Sequence, residues 1–100
     1  EDWILQRRKE FKVGFAEAIR NLVAVYSERN RDDEALMLLS KGINLDIQNE
    51  DYHRDLMRLY AKLGRRSEIA SHYQRLSDIL RQQNYTFSQE TQKLYQDLMK

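Results

Sequence analysis

The chain contains no cysteine and no proline, and only three of its 100 residues are glycine. Without cysteine it can form neither a disulfide nor a thiolate metal site, and this composition fits the reducing cytoplasm, where we expect the protein to be. Without proline and with little glycine, helices meet few interruptions. No apolar run approaches the roughly 20 residues of a membrane span, so we expect no contact with a membrane.

A strong excess of one charge is also lacking, because the net charge is only +1. A dedicated DNA-binding domain usually carries a large basic excess, so this balance argues against one. The charge is nevertheless uneven: residues 1–51 carry 8 basic and 11 acidic residues, and residues 52–100 carry 9 basic and 5 acidic residues. The length suits one domain with one modest core. The chain begins at Glu1 without a signal-peptide pattern, and we interpret residues 1–100 as a single domain from a longer protein.

Hydrophobic residues recur along the chain at helical spacing. They predict helices over residue 2 to about 28, residues 33–45, 50–63 and 66–82, and a fifth that ends near residue 99. No segment has the alternating pattern of a strand. On the first helix, the residues predicted to face inward are Ile4, Phe11, Phe15, Ile19, Leu22 and Tyr26.

Short polar segments separate the predicted helices. Asn30 and Gly64 follow helices and are the two residues best able to adopt the left-handed conformation that ends a helix. Asp32, Asn49 and Ser88 each precede a predicted helix, where their side-chain oxygens are expected to cap it.

An internal repeat sets the expected architecture. A shift of 34 residues aligns "NLVAVYSERNRDDEAL" (residues 21–36) with "DLMRLYAKLGRRSEIA" (residues 55–70) without a gap. This period over a helix–turn–helix unit is typical of tetratricopeptide repeats, which stack because each hairpin exposes an apolar face that it cannot bury alone. We therefore predict an all-α, tetratricopeptide-like, right-handed stack of two helical hairpins plus a C-terminal capping helix. The matched positions include Leu22 with Leu56, Tyr26 with Tyr60, and Asn30 with Gly64.

A row of basic residues marks the third predicted helix. Arg54, Arg58 and Lys62 lie at i, i+4 and i+8 and share one helix face. In stacked repeats the first helix of each hairpin lines the concave surface, and Arg20 occupies the position of Arg54 one repeat earlier. Because guanidinium groups bind carboxylates well, we predict that Arg20, Arg54, Arg58 and Lys62 bind a carboxylate-rich partner. The alternative is a solvated face whose charges are offset by neighbouring acidic residues.

The N-terminal segment leaves two interpretations open. Trp3 lies close to the basic run Arg7-Arg8-Lys9. Trp3 either packs against a preceding domain of a longer chain or covers the end of the core.

The residues that support catalysis or metal binding are not grouped in the sequence. His53 and His72 are 19 residues apart on different predicted helices, without cysteine or suitably spaced carboxylates, so we expect neither a metal site nor a cofactor. We expect His72 to be exposed. No nucleophile elbow, phosphate loop or carboxylate pair is present, so we predict no catalytic residue and no enzyme. The recurrent tyrosines are interpreted as packing residues.

Beyond the repeat, nearly the whole chain resembles the bacterial transcriptional activator domain, the tetratricopeptide-like module of antibiotic-regulatory-type transcription factors. The chain departs from the family pattern at Ile47 and Phe87, where the family usually has proline, and at Ile69, where it favours alanine. The positions that carry the resemblance are Trp3, Arg7 or Arg8, Phe11, Ala18-Ile19, Leu22, Leu45-Asp46, Glu50, His53-Arg54, Leu56-Met57, Tyr60, Gly64-Arg65, Tyr73, Ser88, Glu90-Thr91 and Leu94-Tyr95.

The resemblance implies a role in bacterial transcription regulation. Such modules typically follow a winged-helix or other DNA-binding domain and serve as interaction and regulatory parts. The implied partners are the regulator's own DNA-binding domain, a second copy in a homodimer, or another regulatory protein, with DNA contacted only through a neighbouring domain. The alternative function is direct contact with a nucleic-acid backbone by the basic C-terminal half.

Overall fold

The structure, a computed structural model, describes residues 2–100 and contains five α-helices and no strand within them. This confirms the predicted all-α, tetratricopeptide-like class. The chain divides into two compact units, residues 1–46 and 47–100. Within residues 2–100, no helix combines the length and the apolar character needed to cross a membrane. The helices are α1 (Asp2–Glu28) and α2 (Asp32–Leu45) in the first unit, and α3 (Glu50–Lys62), α4 (Arg66–Gln82) and α5 (Gln89–Leu98) in the second.

The first unit is a helical hairpin in which α1 packs against α2. Small and branched residues at three- and four-residue spacing form the buried stripe of each helix, which lets the two backbones approach closely. Gly42 is buried within the α2 stripe. The buried hydrophobic side chains are Ala16, Ile19 and Val23 of α1 and Ala35, Leu39 and Ile43 of α2.

The predicted inward stripe of α1 is wrong at three positions. Ile4, Phe11 and Leu22 are 40%, 70% and 41% exposed, respectively. The 14 residues of α2 span only about 21 Å, whereas the 27 residues of α1 span about 40 Å. The shorter helix therefore cannot cover the whole of α1, and residues 2–14 bury no side chain.

The turns confirm the 34-residue repeat. Asn30 and Gly64 both have positive φ angles, 59° and 72°, as predicted. In each turn the next residue's amide donates a hydrogen bond five residues back: Arg31 N to Tyr26 O at 2.8 Å, and Arg65 N to Tyr60 O at 2.9 Å. These bonds satisfy the last carbonyl groups of α1 and α3.

The N-terminus of α2 differs from the prediction by one residue. Arg31, not Asp32, occupies the N-cap position, and Asp32 is the first residue of the helix. Arg65 has the same role before α4, with nearly the same backbone angles as Arg31. In both turns the left-handed residue, Asn30 or Gly64, ends one helix, and the residue directly after it is the N-cap of the next helix.

The second unit packs α3 against both α4 and α5. Asn49 and Ser88 cap α3 and α5 as predicted, since their side chains accept hydrogen bonds from Asp51 N and Thr91 N. The departure from the family at Ile69 fills core space, because this side chain is only 1% exposed. The buried hydrophobic residues are Tyr52, Leu56, Met57, Leu59, Ile69, Leu76, Leu80 and Phe87.

Two glycines give a test of the backbone geometry. A Cβ added at Gly14 or at Gly64 would meet no atom within 4 Å, so the effect of alanine depends on backbone conformation alone. We expect Gly14→Ala to raise the free energy of unfolding by about 1 kcal/mol, because Gly14 lies inside a helix. We expect Gly64→Ala to lower it by about 1 kcal/mol, because its φ is positive. Urea denaturation followed by circular dichroism measures both, and equal effects would contradict the left-handed turn.

Candidate functional site

The structure places three of the four predicted partner-binding residues along α3. Arg58 is about half exposed and forms an ion pair with Asp55, with 3.4 Å between Nη1 and Oδ1. Lys62 is exposed in the last turn of α3. Arg20, the fourth residue, is exposed on α1 in the first unit.

Arg54 differs from the other three residues because its side chain is only 13% exposed. Its Nη2 donates to Asp51 Oδ1 at 2.5 Å, and its Nη1 donates to Thr91 Oγ1 at 2.8 Å. Nη1 also lies 3.2 Å from Glu90 Oε2 on α5. The Arg54 guanidinium thus connects the first turns of α3 and α5.

Glu50 is the acceptor at the centre of this connection. Its Oε1 accepts hydrogen bonds from Ser88 N at 3.0 Å, Ser88 Oγ at 2.9 Å and Thr91 Oγ1 at 2.5 Å, and its Oε2 accepts one from Tyr85 Oη at 2.6 Å. Burial raises the pKa of Glu50, but the hydrogen bonds from Thr91, Tyr85 and Ser88 outweigh it and hold the pKa below 4.5. The ionised form of Glu50 is therefore the one that the fold stabilises.

We call this group the α3–α5 clasp. It consists of Glu50 and Arg54 on α3 and of Tyr85, Ser88 and Thr91 at and before α5. Thr91 occupies its centre, since its hydroxyl donates to Glu50 and accepts from Arg54, and it is fully buried. The clasp fixes the position of α5, whose only fully buried residue among those described is Thr91.

A column of rings lies beside the clasp and contradicts one prediction. His72, expected to be exposed, is only 6% exposed, and its ring contacts that of His53. Phe87 packs against both His53 and Tyr73, with ring centroids 5.4 and 5.2 Å away. Tyr73 in turn stacks on Tyr95 at 3.9 Å. The phenylalanine that replaces the family's usual proline is thus a buried packing residue.

The two histidines form a buried hydrogen-bonded pair. His53 Nε2 lies 2.6 Å from the carbonyl oxygen of Ile47, which can only accept, so this nitrogen carries the proton. His53 Nδ1 then accepts from His72 Nε2 at 3.1 Å when both rings are neutral. Burial lowers the pKa of His53, and burial with the nearby His53 and Arg75 lowers the pKa of His72 to about 3. Both rings are therefore neutral in the folded protein at pH 7.

Sequence reasoning did not identify Tyr85, Phe87 or Thr91 as residues that organise the second unit. Two signals pointed to this segment without giving its role: Thr91 is among the positions that resemble the family, and it is the third residue after the cap Ser88. Among residues 2–100, no group of three histidine, cysteine, aspartate or glutamate side chains is placed to hold a metal ion. The polar groups of the clasp and of the histidine pair satisfy one another, an arrangement suited to structural support.

Exposed apolar side chains are concentrated on α1. Trp3 is 64% exposed, Leu5 55% and Val13 59%, in addition to Phe11. The guanidinium of Arg7 lies 5.8 Å from the centroid of the Trp3 ring, and Phe11 stacks on Phe15 at the same centroid distance. The N-terminal half of α1 thus presents rings and basic groups to the outside of its unit, which suits contact with another protein.

The central role of Thr91 in the clasp can be tested by removing its hydroxyl. Thr91→Val keeps the shape of the side chain but leaves both Arg54 and Glu50 without one hydrogen-bond partner. We expect the free energy of unfolding to fall by about 1–3 kcal/mol. Thr86→Val, at an exposed position, should change it by less than about 0.5 kcal/mol. Equal losses in urea denaturation would show that the clasp does not hold α5.

The protonation of the histidine pair is measurable by NMR. Because the folded-state pKa values are lowered from 6.5, the unfolded chain binds more protons below that pH. The contribution of both rings to stability is therefore full above pH 6.5 and falls below it; for His72 the loss continues toward pH 3, by up to about 1.4 kcal/mol per pH unit. We expect neither histidine C2 proton to titrate near pH 6.5 in the folded protein, whereas both should do so in urea. A normal midpoint in the folded protein would contradict the buried neutral pair.

The comparison with protein families agrees with the fold. Neither the curated proteins nor the solved structures contain a significant match to this chain. The family model described as the bacterial transcriptional activator domain matches residues 1–99. That family is made up of regulatory domains of transcription regulators rather than of enzymes. The all-helical fold and this match over almost the whole chain lead to one conclusion: the chain belongs to the bacterial transcriptional activator domain family.

Proposed function

We propose that this transcriptional activator domain is a protein–protein interaction and regulatory module. It would contact the DNA-binding domain of its own regulator, a second copy of itself, or another regulatory protein. The observation that carries the proposal is the exposed apolar surface of α1, where Trp3 and Phe11 are 64% and 70% exposed. Apolar residues grouped on a surface indicate a site of association. Because regulators of transcription act on the chromosome, the proposal also places the protein in the bacterial cytoplasm.

Basic residues offer a further proposed contact in each unit: the α3 surface in the second unit, and Arg20 on α1 in the first. Arg58 and Lys62 are exposed along α3, and Arg20 is exposed on α1. Exposed guanidinium and ammonium groups favour a partner segment rich in carboxylates. Arg54 contributes to this surface chiefly by fixing α5 through the clasp, because its guanidinium already contacts Asp51, Thr91 and Glu90.

The nucleic-acid alternative receives less support from the charges of the second unit. Outside the α3 surface, Arg65, Arg81 and Lys100 each lie within 4.0 Å of an acidic side chain. Groups already paired with carboxylates gain less from phosphate contacts. We therefore assign DNA contact to a neighbouring DNA-binding domain of the regulator. In a gel-shift assay at low salt, duplex binding by the isolated chain that falls steeply with added salt would support the alternative instead.

The contribution of the α3 surface can be tested in the regulator that contains this chain. We expect the double substitution Arg58→Glu and Lys62→Glu to reduce transcription from a target promoter roughly tenfold, because it repels a carboxylate-rich partner. The measurement is a promoter–reporter assay, with promoter occupancy recorded in parallel.

The matched control changes the same two charges elsewhere in the second unit. Arg81 is 75% exposed and pairs with Asp78 three residues earlier, as Arg58 does with Asp55. Arg81→Glu combined with Lys93→Glu should leave transcription near the wild-type level. Wild-type transcription from the Arg58→Glu, Lys62→Glu variant would refute the proposed surface.

A further inference from the structure

Helix α1 carries a second apolar stripe that its packing against α2 does not use. Its members follow one another at steps of 7, 4, 3, 4 and 3 residues and extend over about 33 Å of the helix. At about 100° per residue, the stripe lies roughly a quarter turn away from the buried stripe of Ala16, Ile19 and Val23. We call it the α1 seam, and it consists of Ile4, Phe11, Phe15, Ala18, Leu22 and Val25.

The α1 seam is open along most of its length. Ile4, Leu22 and Val25 are 40–41% exposed, Phe11 is 70% exposed, and Ala18 is exposed as well. Alternating steps of three and four residues place apolar side chains along one line of a helix that pairs with another helix. The seam therefore has the geometry of an unoccupied helix–helix contact.

We propose that the α1 seam pairs with the α1 seam of a second copy of this chain, with the two helices antiparallel about a twofold axis. This inference rests on the proposed interaction function and specifies its partner. In the antiparallel alignment Phe15 faces Ala18 of the second copy, and the twofold axis repeats that contact. A large side chain thus meets a small one, while Phe11 meets Leu22 of the second copy.

Charges flanking the seam favour the antiparallel direction. In this alignment Arg7 lies opposite Glu28 of the second copy, and symmetry supplies the pair twice. Glu28 is the last residue of α1, where its charge opposes the helix dipole, so a cation there is favourable. A parallel alignment would instead place Arg7 opposite Lys12 of the second copy.

The charged residue that interrupts the α1 seam also favours the antiparallel alignment. Arg8 occupies the seam position between Ile4 and Phe11. In parallel helices Arg8 would face Arg8 of the second copy, and like charges facing each other across a helix pair are unfavourable. In antiparallel helices Arg8 faces Val25 of the second copy, and its aliphatic stem covers that side chain while the charge reaches water.

The first experiment measures the mass of the purified 100-residue chain by sedimentation equilibrium over a range of concentrations. We expect the wild-type mass to rise from 12.1 kDa toward twice that value. Phe11→Glu places a charge in the seam and should raise the dimer dissociation constant at least tenfold. Val13→Glu is the matched control, because Val13 is 59% exposed but lies outside the seam.

A second experiment tests the direction of the helices. Arg7→Glu and Glu28→Arg should each raise the dissociation constant, by roughly tenfold for the two symmetry-related pairs. The double variant should return it to within about twofold of the wild-type value, because both pairs form again with their signs exchanged. Failure of this rescue would overturn the antiparallel alignment.

The remaining outcomes are decisive as well. A wild-type chain that stays at 12.1 kDa at every concentration would overturn the dimer. Equal losses from Phe11→Glu and Val13→Glu would overturn the seam as its site. Either result leaves the reporter assay with the Arg58→Glu, Lys62→Glu variant as an independent test of the interaction function, so failure of the dimer and failure of that function are distinguishable.

Discussion

The carboxylate of Glu50 is the interaction on which the arrangement of the second unit depends. Four hydrogen bonds from Tyr85, Ser88 and Thr91 converge on its two oxygens. A buried carboxylate without partners would be costly, so these donors must occupy their positions whenever Glu50 does. Because all of them lie at or just before α5, one side chain of α3 fixes where the last helix begins. The polar contact substitutes for the apolar burial that a ten-residue helix with little buried surface cannot provide.

The same residues explain part of the family resemblance. Glu50, Arg54, Ser88 and Thr91 are far apart in the sequence, yet the structure brings them into one clasp. His53 belongs to the neighbouring ring column, which Phe87 and Tyr73 continue. These matched positions therefore help to determine how α5 is held. Phe87 shows that the loop before α5 accepts a large ring where the family usually has proline, because the ring fills space between His53 and Tyr73.

The sequence was sufficient for features that depend on neighbours along the chain. Helix bounds, the left-handed residues Asn30 and Gly64, and the caps Asn49 and Ser88 follow from local backbone chemistry. Contacts between side chains of different helices could not be predicted from the sequence, because they depend on which helix faces pack together. His72 lies 19 residues from His53, and only the packing of α3 against α4 shows that the two rings touch. Periodicity likewise identified Arg54, Arg58 and Lys62 as one row but could not show that Arg54 contacts Glu90 of α5.

The two halves of α1 differ in how much of their surface is buried, and this difference links the stability of the helix to the proposed association. Its C-terminal half is held against α2, whereas residues 2–14 bury no side chain in their own unit. An isolated helix of this length is marginal in water, and Gly14 weakens it further by about 1 kcal/mol relative to alanine. The helical state of this segment therefore depends on continuity with the packed half and on whatever covers the α1 seam. A partner that binds the seam stabilises the N-terminal half of the helix as it binds, so part of the binding free energy offsets the cost of ordering that half. In the proposed dimer, association of the domain and order in α1 are consequently coupled, and a change at Gly14 is expected to affect both.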